Sequence, residues 1–174
     1  MIREQNIDDG VEFVYTRVFN APRELVFDTF TQTEHMQQWW GPKGCKIEVK
    51  THDLRPGGMF HYSMRNGDGP AMWGRIVYRE IVRPERLVLV NSFSDEQCGV
   101  TRHPAAPDWP LEMLNTSTFD DEGGKTRLTL RSRPLNANAT EVAFFKAGHA
   151  SMQGGFGGMY DVYEQYLADY LAKR

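Results

Sequence analysis

Cysteine is nearly missing from this chain: Cys45 and Cys98 are the only two in 174 residues. Two thiols so far apart build neither a disulfide framework nor a zinc cluster, so free thiols in a reducing, cytoplasmic setting are expected. No run of about 18 apolar residues occurs, which excludes a membrane-spanning helix. The opening MIREQNIDDG has no apolar stretch of the kind a secretory signal needs. The sequons at Asn115 and Asn138 are therefore expected to be unused. Charge of one sign is lacking as well. Lys and Arg number 20 against 23 Asp and Glu, for a net −3 without blocks, and such a balance argues against nucleic acid as a partner.

Catalytic signatures are equally scarce. The five histidines, His35, His52, His61, His103 and His149, have no metal-ligand spacing, and no cofactor is expected. Ser63, Ser92 and Ser151 lack the Gly-x-Ser-x-Gly setting of an activated nucleophile. No catalytic residue is assigned on these grounds. There is no internal repeat, low-complexity tract or linker either. Residues 1–174 read as one domain, with residues 1–10 polar and flexible.

What the chain does have is apolar material, 40% of residues with 12% aromatic, enough for a proper core. The segment from Gly148 to Leu171 places apolar residues at three-to-four spacing, the mark of one helical face. Its first half holds Gly154, Gly155, Gly157 and Gly158, each costing about 0.5–1 kcal/mol of helicity relative to Ala. Close approach to a sheet or open space beside the helix would account for them. Gly154-Gly155-Phe156-Gly157-Gly158 looks superficially like a phosphate loop. It has no Lys-Ser/Thr and no preceding strand, so helix packing is the better reading.

Ahead of that helix, residues 11–20 read as a strand, and Pro22 suits the first position of a short helix. Thr31 with Glu34 spells a capping box for a second helix ending at Trp39-Trp40-Gly41-Pro42. Strands are then expected at 45–52, 59–65, 72–82, 87–93, 111–119 and 126–133, in an antiparallel meander. Arg55-Pro56-Gly57-Gly58 suits a type II turn, and residues 94–110 form a long loop. Asn138 with Glu141 spells an N-terminal cap for a further helix.

Several stretches together resemble a known family. They are residues 20–27 (NAPRELVF), 38–42 (QWWGP), 55–58 (RPGG), 74–81, 84–87 (PERL) and 123–128 (GGKTRL). In this order they are similar to the SRPBCC superfamily of START-like proteins. Within it they resemble the branch named for homologues of the activator of the heat-shock-protein-90 ATPase. The likeness runs from about residue 11 to 171. It implies an α+β helix-grip fold, a curved seven-stranded antiparallel sheet around a long C-terminal helix with an apolar cavity between. Members of the superfamily bind lipids, sterols, polyketides or hormones, and some catalyse cyclisation or dehydration. The eukaryotic namesake is a cochaperone, in larger chains whose partner-binding parts have no match here. One departure is Gly155-Phe156 where the family pattern has Gly-Trp, which enlarges the cavity and removes an indole donor.

With that fold in view, a ligand-binding set can be named. Trp40, Phe60, Tyr62, Met64, Trp73, Phe93, Met113, Met152, Phe156, Met159 and Tyr160 exceed what sealing one helix to a sheet requires. Asn91 shares strand parity with Leu89 and Phe93, and Asn115 with Met113, so both amides are expected inward, where each needs a partner. His149 at the helix start is either a cap or a cavity residue. Arg75, Glu80 and Asp53 form either a buried charged group or solvent-facing pairs. Residues 66–70 and 94–110, the latter with Trp109, are expected lids. The expected ligand is a small apolar or amphipathic molecule. Cyclase, dehydratase or hydrolase chemistry in the same cavity, a chaperone-accessory role and homodimerisation stay open.

Overall fold

The computed structural model describes residues 9–174. Alternating apolar residues make Phe13–Phe19 a strand, β1, with Phe13, Tyr15 and Phe19 buried. Two short helices follow, Arg23–Thr31 (α1) and Thr33–Trp39 (α2). Then come Cys45–His52 (β2), Met59–Asn66 (β3), Met72–Val82 (β4), Arg86–Ser94 (β5) and the short Val100–Thr101 (β6). Glu112–Glu122 (β7) and Lys125–Leu135 (β8) complete the strands, and Ala139–Ala147 (α3) and His149–Ala172 (α4) close the chain. Among the described residues no helix is long and apolar enough to cross a membrane.

The strands form one antiparallel sheet in the order β1-β8-β7-β5-β4-β3-β2. This is the seven-stranded helix-grip path, with β6 added beside β5. β7 pairs with β5 only as far as Asn91↔Met113, and β6 takes over at Phe93↔Thr101. Two residues are too few to leave a period-two pattern, so this strand is hidden within residues 94–110.

Local chemistry decides most boundaries. Gly57 adopts φ 81° and Gly58 N–H donates to the Arg55 carbonyl at 2.8 Å, the type II turn that the sequence spells. Asn138 Oδ1 accepts from Glu141 N–H at 2.8 Å and caps α3. The capping box at Thr31 is corrected. Thr31 is the last residue of α1, its hydroxyl donates back to the Phe27 carbonyl, and Gln32 alone separates the two helices. Pro22 stands at the N-cap of α1, one position earlier than expected. The flexibility expected for residues 1–10 falls largely on residues 1–8, outside the described residues. Asp9, the first described residue, accepts from Val11 N–H at 3.0 Å and pairs with Arg133 at 2.8 Å.

The long helix is held at its C-terminal half. Tyr163 is fully buried, with ring centroids 4.6 Å from Trp39, 4.7 Å from Phe30 and 4.9 Å from Phe19. The Thr29 hydroxyl donates to the Leu25 and Val26 carbonyls, which leaves its oxygen to accept the Tyr163 hydroxyl proton at 2.8 Å. Trp39 Nε1–H donates to the Thr29 carbonyl at 2.9 Å. Arg17 on β1 adds bonds to Asp161, Glu164 and the Gly157 carbonyl. Before Met159, no α4 residue is fully buried. A Cβ added at Gly154, Gly155 or Gly158 would meet nothing within 4 Å, and one at Gly157 would meet only the Tyr15 hydroxyl, at 3.9 Å. Of the two explanations for them, open space is the one that holds.

Both faces of β3 are covered. Phe60, Tyr62 and Met64 are buried on the helix side, while His61 and Ser63 are buried on the other. There residues 95–99 fold across the outer face. His61 Nε2–H donates to the Asp95 carbonyl, Lys50 to the Glu96 carbonyl and Arg75 to the Cys98 carbonyl. Arg75, Glu80 and Asp53 form no common group. Glu80 pairs with Arg86, and Asp53, just past the end of β2, pairs with Arg55.

His52 ties α2 to the sheet, with Nδ1 2.6 Å from the Thr33 hydroxyl and Nε2 2.9 Å from that of Tyr78. Its desolvation lowers the imidazole below the usual 6.5, against smaller opposing effects of Asp53 and Glu34. The stability contributed by the neutral ring is complete above the unfolded value of 6.5. It is lost as pH falls from there to the lower folded value. The urea midpoint should therefore drop between about pH 7 and about pH 5, and His52→Gln should drop by less over the same interval. Two glycine substitutions should move in opposite directions. Gly154→Ala should raise the unfolding free energy by about 0.5–1 kcal/mol. Gly74→Ala should lower it by about 1–3 kcal/mol, because the new Cβ would lie 2.6 Å from the Tyr62 hydroxyl.

Candidate functional site

Sheet register sets the floor of the site. Tyr62 lies across from Gly74, and Gly74 across from Phe93. The missing side chain at Gly74 lets the Tyr62 ring lie over the backbone. One step along the strands, Asn91 stands between Ile76 and Met113, and Asn115 between Leu89 and Ser132. All these residues face α4.

Two chambers lie between this floor and the glycine-rich half of α4. The larger has a volume of about 490 Å³, with Phe93 and Met113 below and His103, Ala106 and Trp109 as a side wall. The second, of about 310 Å³, is bounded by Trp40, Gly41, Pro42, Tyr62 and Met64 on one side and Met159 on the other. Asn91 and Asn115 from the floor and Met152 and Phe156 from the helix border both chambers. A deeper crevice of about 40 Å³ runs beneath Phe156 to Phe30 and Tyr160.

The junction carries the site's main polar feature. Asn115 Nδ2 donates to Asn91 Oδ1. Asn115 Oδ1 is buried and has no hydrogen-bond partner among the described residues. Leaving such an acceptor dry is unfavourable by about 1–3 kcal/mol. Burial pushes the Tyr62 and Tyr160 hydroxyls well above the ordinary tyrosine value, so both are neutral donors rather than bases. No Lys, Arg, Asp or Glu borders either chamber. Among the described residues no three His, Cys, Asp or Glu side chains converge.

Most of the expected set meets here: Trp40, Tyr62, Met64, Asn91, Phe93 and Met113 do, as do Asn115, Met152, Phe156, Met159 and Tyr160. Three residues do not. Phe60 is fully buried, stacked on Tyr62 at 4.7 Å and packed on His52 at 4.8 Å, a layer beneath the lining. Trp73 points to the outer face, because its neighbour Gly74 takes the inward position. It covers His61 at 4.9 Å and receives the Lys50 ammonium at 5.2 Å. His149 donates through Nε2 to the Val11 carbonyl at 3.0 Å and sits between Phe13 and Phe145. The expected lids are corrected too. Residues 66–70 border neither chamber, and only 103–109 of the long loop do, since 95–99 lie on the opposite face.

His103 was not singled out by sequence. Its Nδ1 accepts from Ala105 N–H at 3.0 Å, so in the neutral ring the proton is on Nε2. The ring packs edge-on against Phe93 at 4.6 Å and borders the larger chamber. Ser132 and Ser151 also border it. The one available signal for His103 was its place in the proline-rich loop that carries Trp109.

Comparison with known proteins places this architecture. Ms6760 from Mycobacterium smegmatis superposes with a TM-score of 0.70 at 23% identity, covering 91% of each chain. A protein from Arthrobacter aurescens gives 0.76 at 21% identity, covering 92% of this chain and 88% of its own. NE0264 from Nitrosomonas europaea gives 0.73 at 22% identity, covering 95% and 99%. At these identities the likeness speaks for the fold. Among curated proteins none matches. The family model described as Activator of Hsp90 ATPase homolog 1-like protein matches residues 20–168, nearly the full described length, and the chain belongs to that family.

Proposed function

We propose that the protein binds a small apolar or amphipathic molecule between the inner face of the sheet and α4. The observation that carries this reading is the pair of chambers meeting under Phe156, with an unpaired amide oxygen at their junction. Apolar and methionine side chains give adaptable contact, and a few polar groups give orientation, the usual composition of a small-molecule site. Trp40, Tyr62, Phe93, Met113, Met152 and Phe156 supply the apolar contact; Asn91, Asn115 and His103 orient the ligand. The exposed large apolar residues Val14, Leu54, Met72, Val82, Val100, Phe144 and Leu171 are spread over five elements and the β2–β3 connection, and only β4 carries two, one at each end, which favours a cavity ligand over a docked protein.

A thermal-shift screen of lipids, steroids and aromatic polyketides tests the reading. A genuine ligand at a hundredfold excess over its Kd should add about 2.7 kcal/mol of stability, or about 5–11 °C in Tm. A wide screen without any such shift removes the proposal. Phe156→Trp, restoring the bulkier residue of the family pattern, should shift the unfolding free energy by less than about 1 kcal/mol. The same change should weaken a bulky hit about tenfold. Unfolding of this variant would instead identify Phe156 as packed core.

A further inference from the structure

From the polarity of the two chambers we infer the class of molecule they take: an uncharged compound, apolar at both ends, with a hydroxyl or N–H donor at its middle. This rests on the cavity reading above and narrows it. A carboxylate, phosphate or ammonium taken into either chamber would find no Lys, Arg, Asp or Glu beside it, and His103 on the wall of the larger chamber has its Nδ1 taken by the Ala105 N–H. Desolvating an ionised group without a partner is strongly unfavourable, so charged amphiphiles are selected against. Each chamber is mainly apolar, and the Asn91–Asn115 pair stands at the passage between them, opposite Met152 and Phe156.

A molecule filling both chambers must therefore lay its middle on the amide pair. The group left unmatched there is an acceptor: Asn115 spends one Nδ2–H on Asn91, and its own Oδ1 is buried without a partner. A central hydroxyl or N–H satisfies that oxygen; a carbonyl or ether at the same place can take an N–H from Asn91 Nδ2 but leaves the Asn115 oxygen unmatched. The chambers thus discriminate by charge first and by the direction of a single hydrogen bond second.

Four probes of nearly one shape separate these effects: diphenylmethanol, diphenylmethane, benzophenone and diphenylacetate. Each carries two rings on a central carbon, and they differ in what that carbon offers. Binding to the full chain is measured by calorimetry. Diphenylmethanol should bind about threefold to tenfold tighter than diphenylmethane and benzophenone, the range of one net hydrogen bond. Diphenylacetate should be the weakest. In Asn115→Leu the advantage of the alcohol over the hydrocarbon should vanish. Should that variant fail to fold, the wild-type series decides alone. Equal binding of alcohol and hydrocarbon, a ketone equal to the alcohol, or a preference for diphenylacetate overturns this inference and leaves the cavity reading standing. Failure of all four probes to bind also overturns this inference, while the cavity reading stands or falls on the wider thermal-shift screen.

Discussion

Tyr163 is the contact on which the rest of the molecule depends. Its ring is enclosed by Phe19 from the first strand, Phe30 from the first helix and Trp39 from the second. Its hydroxyl reaches Thr29, whose carbonyl in turn takes the indole N–H of Trp39. Three consecutive elements at the start of the chain are thus fixed to the distant α4 through one side chain. Aromatic pairs at these separations add about 0.5–1.5 kcal/mol each beyond their buried area. The buried hydroxyl is satisfied, so the cluster has apolar stability without the penalty of a dry polar group.

That anchoring explains the division of labour along α4. Because the C-terminal half is fixed, the N-terminal half can cross above the sheet without closing onto it. Arg17 steadies the crossing where its guanidinium meets the Gly157 carbonyl and the carboxylates of Asp161 and Glu164. Phe156 is then the side chain that reaches down, in ring contact with Phe13, Tyr15 and Tyr160. The cavity lies beside the turns of α4 ahead of Met159, where no residue of the helix is fully buried.

Much of this was legible in the sequence, for identifiable reasons. Strand alternation, turn glycines and the Asn138 cap are local signals, and each gave the right element. The parity argument also put Asn91 and Asn115 on the correct face, since period two is unforgiving. The misreadings arose where a local spelling met a tertiary constraint. Thr31 spells a cap but ends a helix, because the second helix begins almost where the first stops. Trp73 looks like lining, yet a glycine beside it holds the inward position. His149 and Phe60 are near the cavity in sequence pattern, but packing decides which ring is at the surface of a pocket and which lies behind it. His103 left no pattern at all; a loop wall has no periodicity to read.

The bare stretch of α4 has one more consequence, which concerns how such a protein changes over generations. A Cβ at position 154, 155 or 158 would meet nothing within 4 Å, whereas the buried residues of α4 begin at Met159. A substitution at Gly155, which borders the smaller chamber, can narrow or reshape it while taking nothing from the aromatic cluster and restoring intrinsic helicity. Most changes of binding preference bring a protein nearer its stability threshold. In this chain the two are carried by different turns of the same helix, so selectivity can drift while the scaffold stays intact.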